Sequence, residues 1–153
     1  MQSFKIIKPI HILTPYVRYY WILEDGADVS VSERTLPTGC IQLVFHRGKR
    51  LLLVGKKESQ PQAFICGQCL NFSDVMSAGK IEMITVVFQP YAARAILQLP
   101  LKFFYGELIA VDAIEDLELS ILSRKVIEAD DHETCIRLIE QFLIHRLYRL
   151  SLI

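Results

Sequence analysis

The sequence lacks the short motifs by which many enzymes can be identified. It contains no GxSxG segment around a nucleophilic serine, no GxGxxG loop for a dinucleotide and no phosphate-binding P-loop. Its four histidines, His11, His46, His132 and His145, are scattered along the chain, so no closely spaced histidine pair with a carboxylate offers a metal site. We therefore expect no catalysis, no cofactor and no bound metal.

Long hydrophobic runs and an excess of charge are also missing. No apolar run approaches the roughly 20 residues that cross a bilayer, and the N-terminus has no signal-peptide core, so we expect a cytoplasmic protein without a membrane partner. Seventeen basic residues balance seventeen acidic ones, so any contact with DNA would need another segment. The chain is 52% hydrophobic, so part of its apolar surface is expected to be covered by a partner or a further domain.

The cysteines do not form the spaced framework of a secreted, disulfide-bonded protein. We expect reduced thiols for all four, Cys40, Cys66, Cys69 and Cys135. Cys66 and Cys69 form a CxxC, but no second pair and no following helix are indicated, so inert thiols are the preferred interpretation. If the chain were instead a metal-binding or enzymatic barrel, Cys66, Cys69 and His46 would be the first candidates.

The first 89 residues are predicted to be rich in β-structure. Pro37 and Gly39 permit a sharp turn, and the apolar, β-branched stretch that follows it suits a buried strand. Turn signals at Gly48, at Gly55 and at residues 77–80 predict hairpins, and residues 4–13 form an extended edge arm broken by Pro9. About seven short strands are expected, at residues 16–23, 29–36, 41–45, 51–54, 63–66, 70–76 and 81–88.

From Pro90 onward the pattern predicts helices. A short helix spans residues 90–99, a second begins at Asp112 and ends near Ala129, and a third begins at Asp130. The whole is predicted as one α+β domain, residues 1–153, with a jelly-roll-like barrel over 1–89 and a helical part over 90–153. The third helix ends without a glycine stop, so we expect the natural protein to continue beyond Ile153.

Two hydrophobic features have alternative interpretations. The aromatic run Tyr19-Tyr20-Trp21 is typical of a core, but it also suits the wall of an apolar ligand pocket. The apolar stripe of the third helix either packs on the core or pairs with a second subunit. The stripe residues assigned to such pairing are Leu138, Phe142 and Leu147.

An ordered series of residues then resembles a known family. The series runs Val17…Tyr20-Trp21, Glu33…Leu36-Pro37-x-Gly39…Gln42-Leu43-Val44-Phe45, Phe64-Ile65-Cys66-Gly67-Gln68, Val87-Phe88-Gln89-Pro90-Tyr91-Ala92-Ala93, Leu99-Pro100 and Ile139-Glu140-Gln141-Phe142-Leu143…Arg146-Leu147. It resembles the N-terminal domain of a bacterial group of AraC-type transcriptional regulators over nearly the whole chain. The chain departs from that pattern at Thr38, where the family commonly has Asp, and at Tyr91 and Ala92, where it commonly has glycines.

The resemblance implies a regulatory domain with a cupin-like barrel and trailing helices. Such a domain senses a small-molecule effector and often forms a homodimer, while a separate C-terminal helix-turn-helix domain, absent from this chain, binds DNA. The alternatives are a small metal-binding or enzymatic cupin-like protein, a dimerisation-only module and a free-standing interaction module. The candidate ligand-binding residues are Tyr20, Trp21, Gln42, His46, Gln68 and Phe88.

Overall fold

The computed structural model of the chain describes residues 2–25, 41–48, 52–53, 58–59, 61–67, 75–76, 80–98 and 108–151. This part has an α+β architecture with a six-stranded and a three-stranded antiparallel sheet and three α-helices, which confirms the predicted class. Among the described residues, we find no helix with both the length and the hydrophobicity that a membrane span requires. The strands are β1 (Gln2–Ile7), β2 (Val17–Asp25), β3 (Gln42–His46), β4 (Leu52–Leu53), β5 (Glu58–Ser59), β6 (Ala63–Cys66), β7 (Val75–Met76), β8 (Ile81–Phe88) and β9 (Leu108–Ala110), and the helices are α1 (Ala92–Leu97), α2 (Leu117–Glu128) and α3 (His132–Ser151).

The larger sheet has the strand order β1-β2-β8-β3-β6-β9. β1 lies at its edge, as predicted for the arm before Pro9, and β8 lies between β2 and β3. β6 and β8 have the predicted bounds, because their apolar runs are bordered by glycine, lysine or proline. The predicted strand at 29–36, the turn at 36–39, Cys40 and Cys69 lie outside the described residues.

The smaller sheet corrects two predicted hairpins. β4 belongs to it whereas β3 belongs to the larger sheet, so the hairpin predicted at Gly48, between residues 41–45 and 51–54, is wrong. β4 pairs with β5 across residues 54–57, in agreement with the turn predicted at Gly55. β7 pairs with β4 in this sheet, whereas β8 belongs to the larger one, so the hairpin predicted between residues 70–76 and 81–88 is wrong. A short turn signal shows where the chain reverses but does not determine which strand becomes the neighbour.

All three helices begin later than predicted, and α1 starts at Ala92 instead of Pro90. α2 starts at Leu117, because the Asp116 side chain, and not Asp112, accepts a hydrogen bond from the Leu119 N–H at 3.1 Å. At the start of α3 the Asp131 side chain accepts from the Thr134 N–H at 2.7 Å, one residue after the predicted cap. Each cap has another acidic residue close by in the sequence, so the capping pattern alone could not identify the residue used.

The main core lies between one face of the larger sheet and the helices. Tyr20, Phe45 and Ile84 enter it from strands, and Ile139 and Leu143 enter it from α3. Full burial of one such side chain stabilises the fold by about 1.5–3 kcal/mol. This packing fixes α3 against the sheet and thereby positions the polar side chains described next.

Candidate functional site

The larger sheet has two buried faces, and adjacent residues of a strand point to opposite ones. Tyr20 lies on the face that packs against the helices, while Trp21 lies on the other, which we call the second face. The second face carries its own small apolar cluster. By strand alternation, register and packing its residues include Trp21, Leu23, Gln42, Val44, His46, Phe64, Cys66, Ile81, Met83, Thr85, Val87 and Leu108.

Thr85 occupies the centre of this second face. The strand register places it opposite Trp21 on β2 and opposite Val44 on β3. Thr85 is fully buried, and its hydroxyl has no hydrogen-bond partner among the residues that the structure describes. A buried hydroxyl without a partner is costly in an apolar setting, so it is available for hydrogen bonding to an occupant.

Two further polar side chains lie on the second face, on either side of Thr85. Gln42 lies two residues from Val44 along β3, and His46 lies two residues from it in the other direction. The His46 ring is fully buried, with its centroid 5.8 Å from that of Phe64. A few polar groups within an aromatic and apolar surface are the usual lining of a small-molecule site.

The candidate ligand residues are therefore divided between the two faces. Trp21, Gln42 and His46 share the second face. Tyr20 and Phe88 are fully buried in the core beneath the helices, and Gln68 lies outside the described residues. The sequence did not indicate Thr85, because a single threonine within an apolar strand carries no distinctive signal.

Arg47 connects the sheet to two helices. Its Nε atom donates to Glu82 on β8, Nη1 donates to the Val126 carbonyl at 2.5 Å, and Nη2 donates to the Ala129 carbonyl at 2.7 Å. These carbonyls lie at the end of α2, where backbone acceptors lack helical partners. Burial raises the pKa of the nearby Cys135 thiol, which lies on α3 at 2.9 Å from Nη1.

A second polar link joins the N-terminal segment, the sheet and α3. The Glu140 carboxylate accepts a hydrogen bond from the Tyr20 hydroxyl at 3.0 Å and one from the Ile10 N–H at 3.0 Å. Burial, together with the negative charge of Glu140, raises the pKa of the Tyr20 phenol well above its usual value. The phenol therefore remains a neutral donor in the folded chain.

The C-terminal half of α3 is held by an ion pair. The Arg146 Nη2 atom donates to both carboxylate oxygens of Asp116, at 2.6 and 2.7 Å, and Nη1 donates to the Ile96 carbonyl. The Arg146 guanidinium also lies 4.7 Å from the ring centre of Phe142. The residues predicted for subunit pairing, Leu138, Phe142 and Leu147, are partly buried and border the main core.

Two surface grooves lie beside the polar contacts of Glu140 and Arg146. One, of about 550 Å³, lies between the N-terminal segment and α3 and is bordered by Ile7, Ile10 and Glu140. The other, of about 690 Å³, lies beside Asp116 and Arg146. Both grooves therefore border a polar contact that anchors α3.

The described residues also contain one cluster with metal-ligating atoms. Glu24, Glu82 and His132 each offer one such atom, and the three atoms lie within 4.8 Å of one another. The sequence could not indicate the cluster, because β2, β8 and α3 bring these residues together from distant positions.

Comparison with known proteins gives one family match. Residues 5–110 match the sequence model of a family that is described as a domain of unknown function (DUF6597). The matched segment contains the whole second face and ends with β9, and α2 and α3 follow it. No curated protein and no solved structure matches the chain.

Proposed function

Because the chain belongs to this family of domains of unknown function (DUF6597), we infer its role from its own residues. We propose that it is the effector-sensing and dimerising domain of a bacterial transcriptional regulator. The domain has no catalytic activity in this proposal. The resemblance to AraC-type regulators supports it, and those residues of the ordered series that the structure describes lie on or beside β2, β3, β6, β8, α1 and α3.

The observation that carries the sensing role is the buried hydroxyl of Thr85. It lies between Trp21 and Val44 on a face that also bears Gln42 and His46. In this proposal the second face lines the interior of a cupin-like barrel. An effector with a flat apolar body and polar groups at its edge would stack on Trp21 and accept or donate hydrogen bonds at Thr85.

The strands offer a path from this face to the helices. Trp21 follows Tyr20 directly on β2, and the Tyr20 hydroxyl donates to Glu140 on α3. Thr85 lies three residues from Glu82, which pairs with Arg47 beneath α2. An effector that binds one arrangement of N-terminal segment, sheet and α3 more tightly than another would shift the population between them.

Dimerisation is assigned to α3. Leu138, Phe142 and Leu147 border the core and are only partly buried, so a second copy could cover the remainder. Tyr148 on the same helix is 63% exposed. Because the present chain has no net charge, DNA contact is assigned to a separate C-terminal helix-turn-helix domain. In this proposal the regulator acts in the cytoplasm.

The sensing role is tested with ligands and one isosteric variant. Native mass spectrometry of the purified chain would detect a retained small molecule, and a thermal-shift screen of metabolites would detect others. We expect at least one compound to raise the melting temperature of the wild type but not of Thr85→Val, which keeps the side-chain shape. Thr14→Val, at an exposed turn, is the matched control and should respond as the wild type does.

Two outcomes would contradict the sensing role. One is a wild type that retains no molecule and responds to no compound in the screen. The other is an equal response in Thr85→Val, which would exclude the second face as the site of binding. Dimerisation is tested separately by sedimentation analysis, in which Phe142→Ser should dissociate the dimer and the exposed control Leu117→Ser should not.

A further inference from the structure

Two carboxylates lie side by side at the end of the larger sheet. Glu24 on β2 and Glu82 on β8 are register partners, so their side chains lie on the same face of the sheet. Like charges directly opposite each other destabilise a strand pair. Arg47 offsets the charge of Glu82, to which its Nε atom donates, and a further positive charge would favour the pair.

His132, the first residue of α3, lies at this pair of carboxylates. Its Nε2 atom is 2.9 Å from Oε1 of Glu24 and 3.6 Å from Oε1 of Glu82. Ligands at about 2.0–2.2 Å from a zinc ion lie roughly 3–3.5 Å from one another, so the observed separations need little adjustment. All three ligand atoms fall within 4.8 Å of one another.

We propose that Glu24, Glu82 and His132 form a binding site for a divalent transition metal ion of the zinc and cobalt class. An imidazole nitrogen with two carboxylate oxygens suits these ions, whereas Ca²⁺ and Mg²⁺ favour sets made of oxygen alone. The two carboxylates balance the charge of the ion. Three protein ligands leave a position for water or another small ligand.

Arg47 orients one of these ligands. Its Nε atom donates to Oε2 of Glu82, so Oε1 is the oxygen nearest His132. A hydrogen bond to the second oxygen of a ligating carboxylate is a common feature of metal sites. The guanidinium charge lies close to the ion, so we expect weaker binding than at a closed four-ligand zinc site.

Solvent can reach the three side chains. The Glu24, Glu82 and His132 side chains keep 47%, 29% and 24% of their accessible surface. An ion can therefore enter without unfolding of the chain. Once bound, the ion would join β2 and β8 to the start of α3. Two other contacts already hold α3 to the sheet, one between Arg47 and Cys135 and one between Tyr20 and Glu140.

The test is a titration of the metal-free chain with Co²⁺, followed by calorimetry and by visible absorbance. We expect saturable binding of one ion per chain, without the near-ultraviolet band that thiolate ligands give to Co²⁺. Glu24→Gln and His132→Gln should each weaken binding at least tenfold. His145→Gln, at an exposed histidine of the same helix, should leave it unchanged.

Circular dichroism checks that each variant is folded before the titration. The inference is overturned if the wild type binds no Co²⁺ in a saturable manner, or if both ligand variants bind it as the wild type does. It is also overturned if binding survives in His132→Gln but disappears when Cys66 and Cys69 are replaced by serine, because the ion would then belong to the CxxC.

Discussion

The Nη1 atom of Arg47 lies 2.5 Å from the carbonyl oxygen of Val126, so a residue that directly follows β3 caps the C-terminal end of α2. The positive charge is favourable there, because the helix dipole places partial negative charge at that end. The same guanidinium donates to Glu82 and lies beside Cys135. One side chain therefore joins the sheet to both long helices.

Replacement of Arg47 by methionine should destabilise the fold. The change keeps an unbranched apolar side chain but removes the partner of Glu82 and of two helix carbonyls. Breaking a buried pair costs about 3–5 kcal/mol, and the partial exposure of Glu82 lowers our expectation to about 2–3 kcal/mol. Chemical denaturation measures the difference.

Arg137→Met is the matched control for this change. Arg137 pairs with Glu133 on the surface of α3 at 3.6 Å, and both side chains are largely exposed. Such pairs contribute about 0.5 kcal/mol or less. Equal losses in Arg47→Met and Arg137→Met would contradict the role assigned to Arg47.

Gly48, the next residue, should not tolerate a side chain. A Cβ atom at this position would lie 2.6 Å from the Lys80 carbonyl oxygen and 3.0 Å from the Glu82 nitrogen. Lys80 directly precedes β8 and Glu82 lies within it, so these backbone atoms can move only with the strand. We expect Gly48→Ala to destabilise the fold by about 1–3 kcal/mol, the usual cost of overpacking.

Calorimetry of the thermal transition checks this second prediction. The control is Ala95→Gly, the reverse exchange at an exposed position of α1. It should lower the stability of the fold by about 1 kcal/mol or less, because glycine favours a helix less than alanine does. If Gly48→Ala melted at the same temperature as the wild type, the backbone at residues 80–82 could shift away from the added Cβ atom without loss of stability, which would contradict the prediction.

The Tyr20–Glu140 contact predicts a change at alkaline pH. The pKa of the Tyr20 phenol is raised by burial and by Glu140, so the unfolded chain releases this proton before the folded chain does. The stability of the wild type should therefore fall as the pH rises above about 10. Tyr20→Phe lacks the hydrogen bond to Glu140, so it should be about 1 kcal/mol less stable than the wild type at neutral pH. Its stability should also depend less on pH in the alkaline range.

Denaturation at several pH values measures this difference, with Tyr91→Phe as the control. Tyr91 is 77% exposed, so its replacement should leave the stability at neutral pH unchanged. An alkaline slope in Tyr20→Phe as steep as that of the wild type would contradict the role of the buried phenol.

The sequence predicted local features better than relations between distant residues. The bounds of β6 and β8 followed from apolar runs with clear borders, and the edge position of β1 followed from Pro9. The wrong hairpin before β8 reflects a strand whose partners, β2 and β3, are set by packing across the whole sheet.

The candidate sites depended on such distant relations. Glu24, Glu82 and His132 come from three separate elements, and each one alone is an ordinary surface residue. Register decides that Trp21 shares a face with Thr85 while Tyr20 does not, and a one-residue error would invert this result. A periodic pattern shows that a strand has two faces but not which of them binds a ligand.

The Asp116–Arg146 pair predicts a loss of stability in acid. Burial alone would raise the pKa of Asp116, but the hydrogen bonds from Arg146 and from the Leu119 N–H outweigh it and lower the pKa. The unfolded chain therefore takes up this proton at a higher pH than the folded chain does. The stabilisation is complete above the ordinary aspartate pKa of about 4 and is lost as the pH falls through the lowered value.

Asp116→Asn isolates this ion pair, because asparagine caps a helix about as well as aspartate does and so preserves the start of α2. We expect the wild type to be more stable than the variant at neutral pH, and this difference to persist down to about pH 4 and to shrink as the pH falls further, through the lowered pKa. Urea denaturation at several pH values measures it, and Asp112→Asn, at an exposed position, should match the wild type at neutral pH. The charge of Asp116 would be excluded as the cause if the difference in stability between wild type and Asp116→Asn stayed constant as the pH fell through the lowered pKa. Arg146 would then stabilise the fold through its packing against Phe142 and its hydrogen bond to the Ile96 carbonyl.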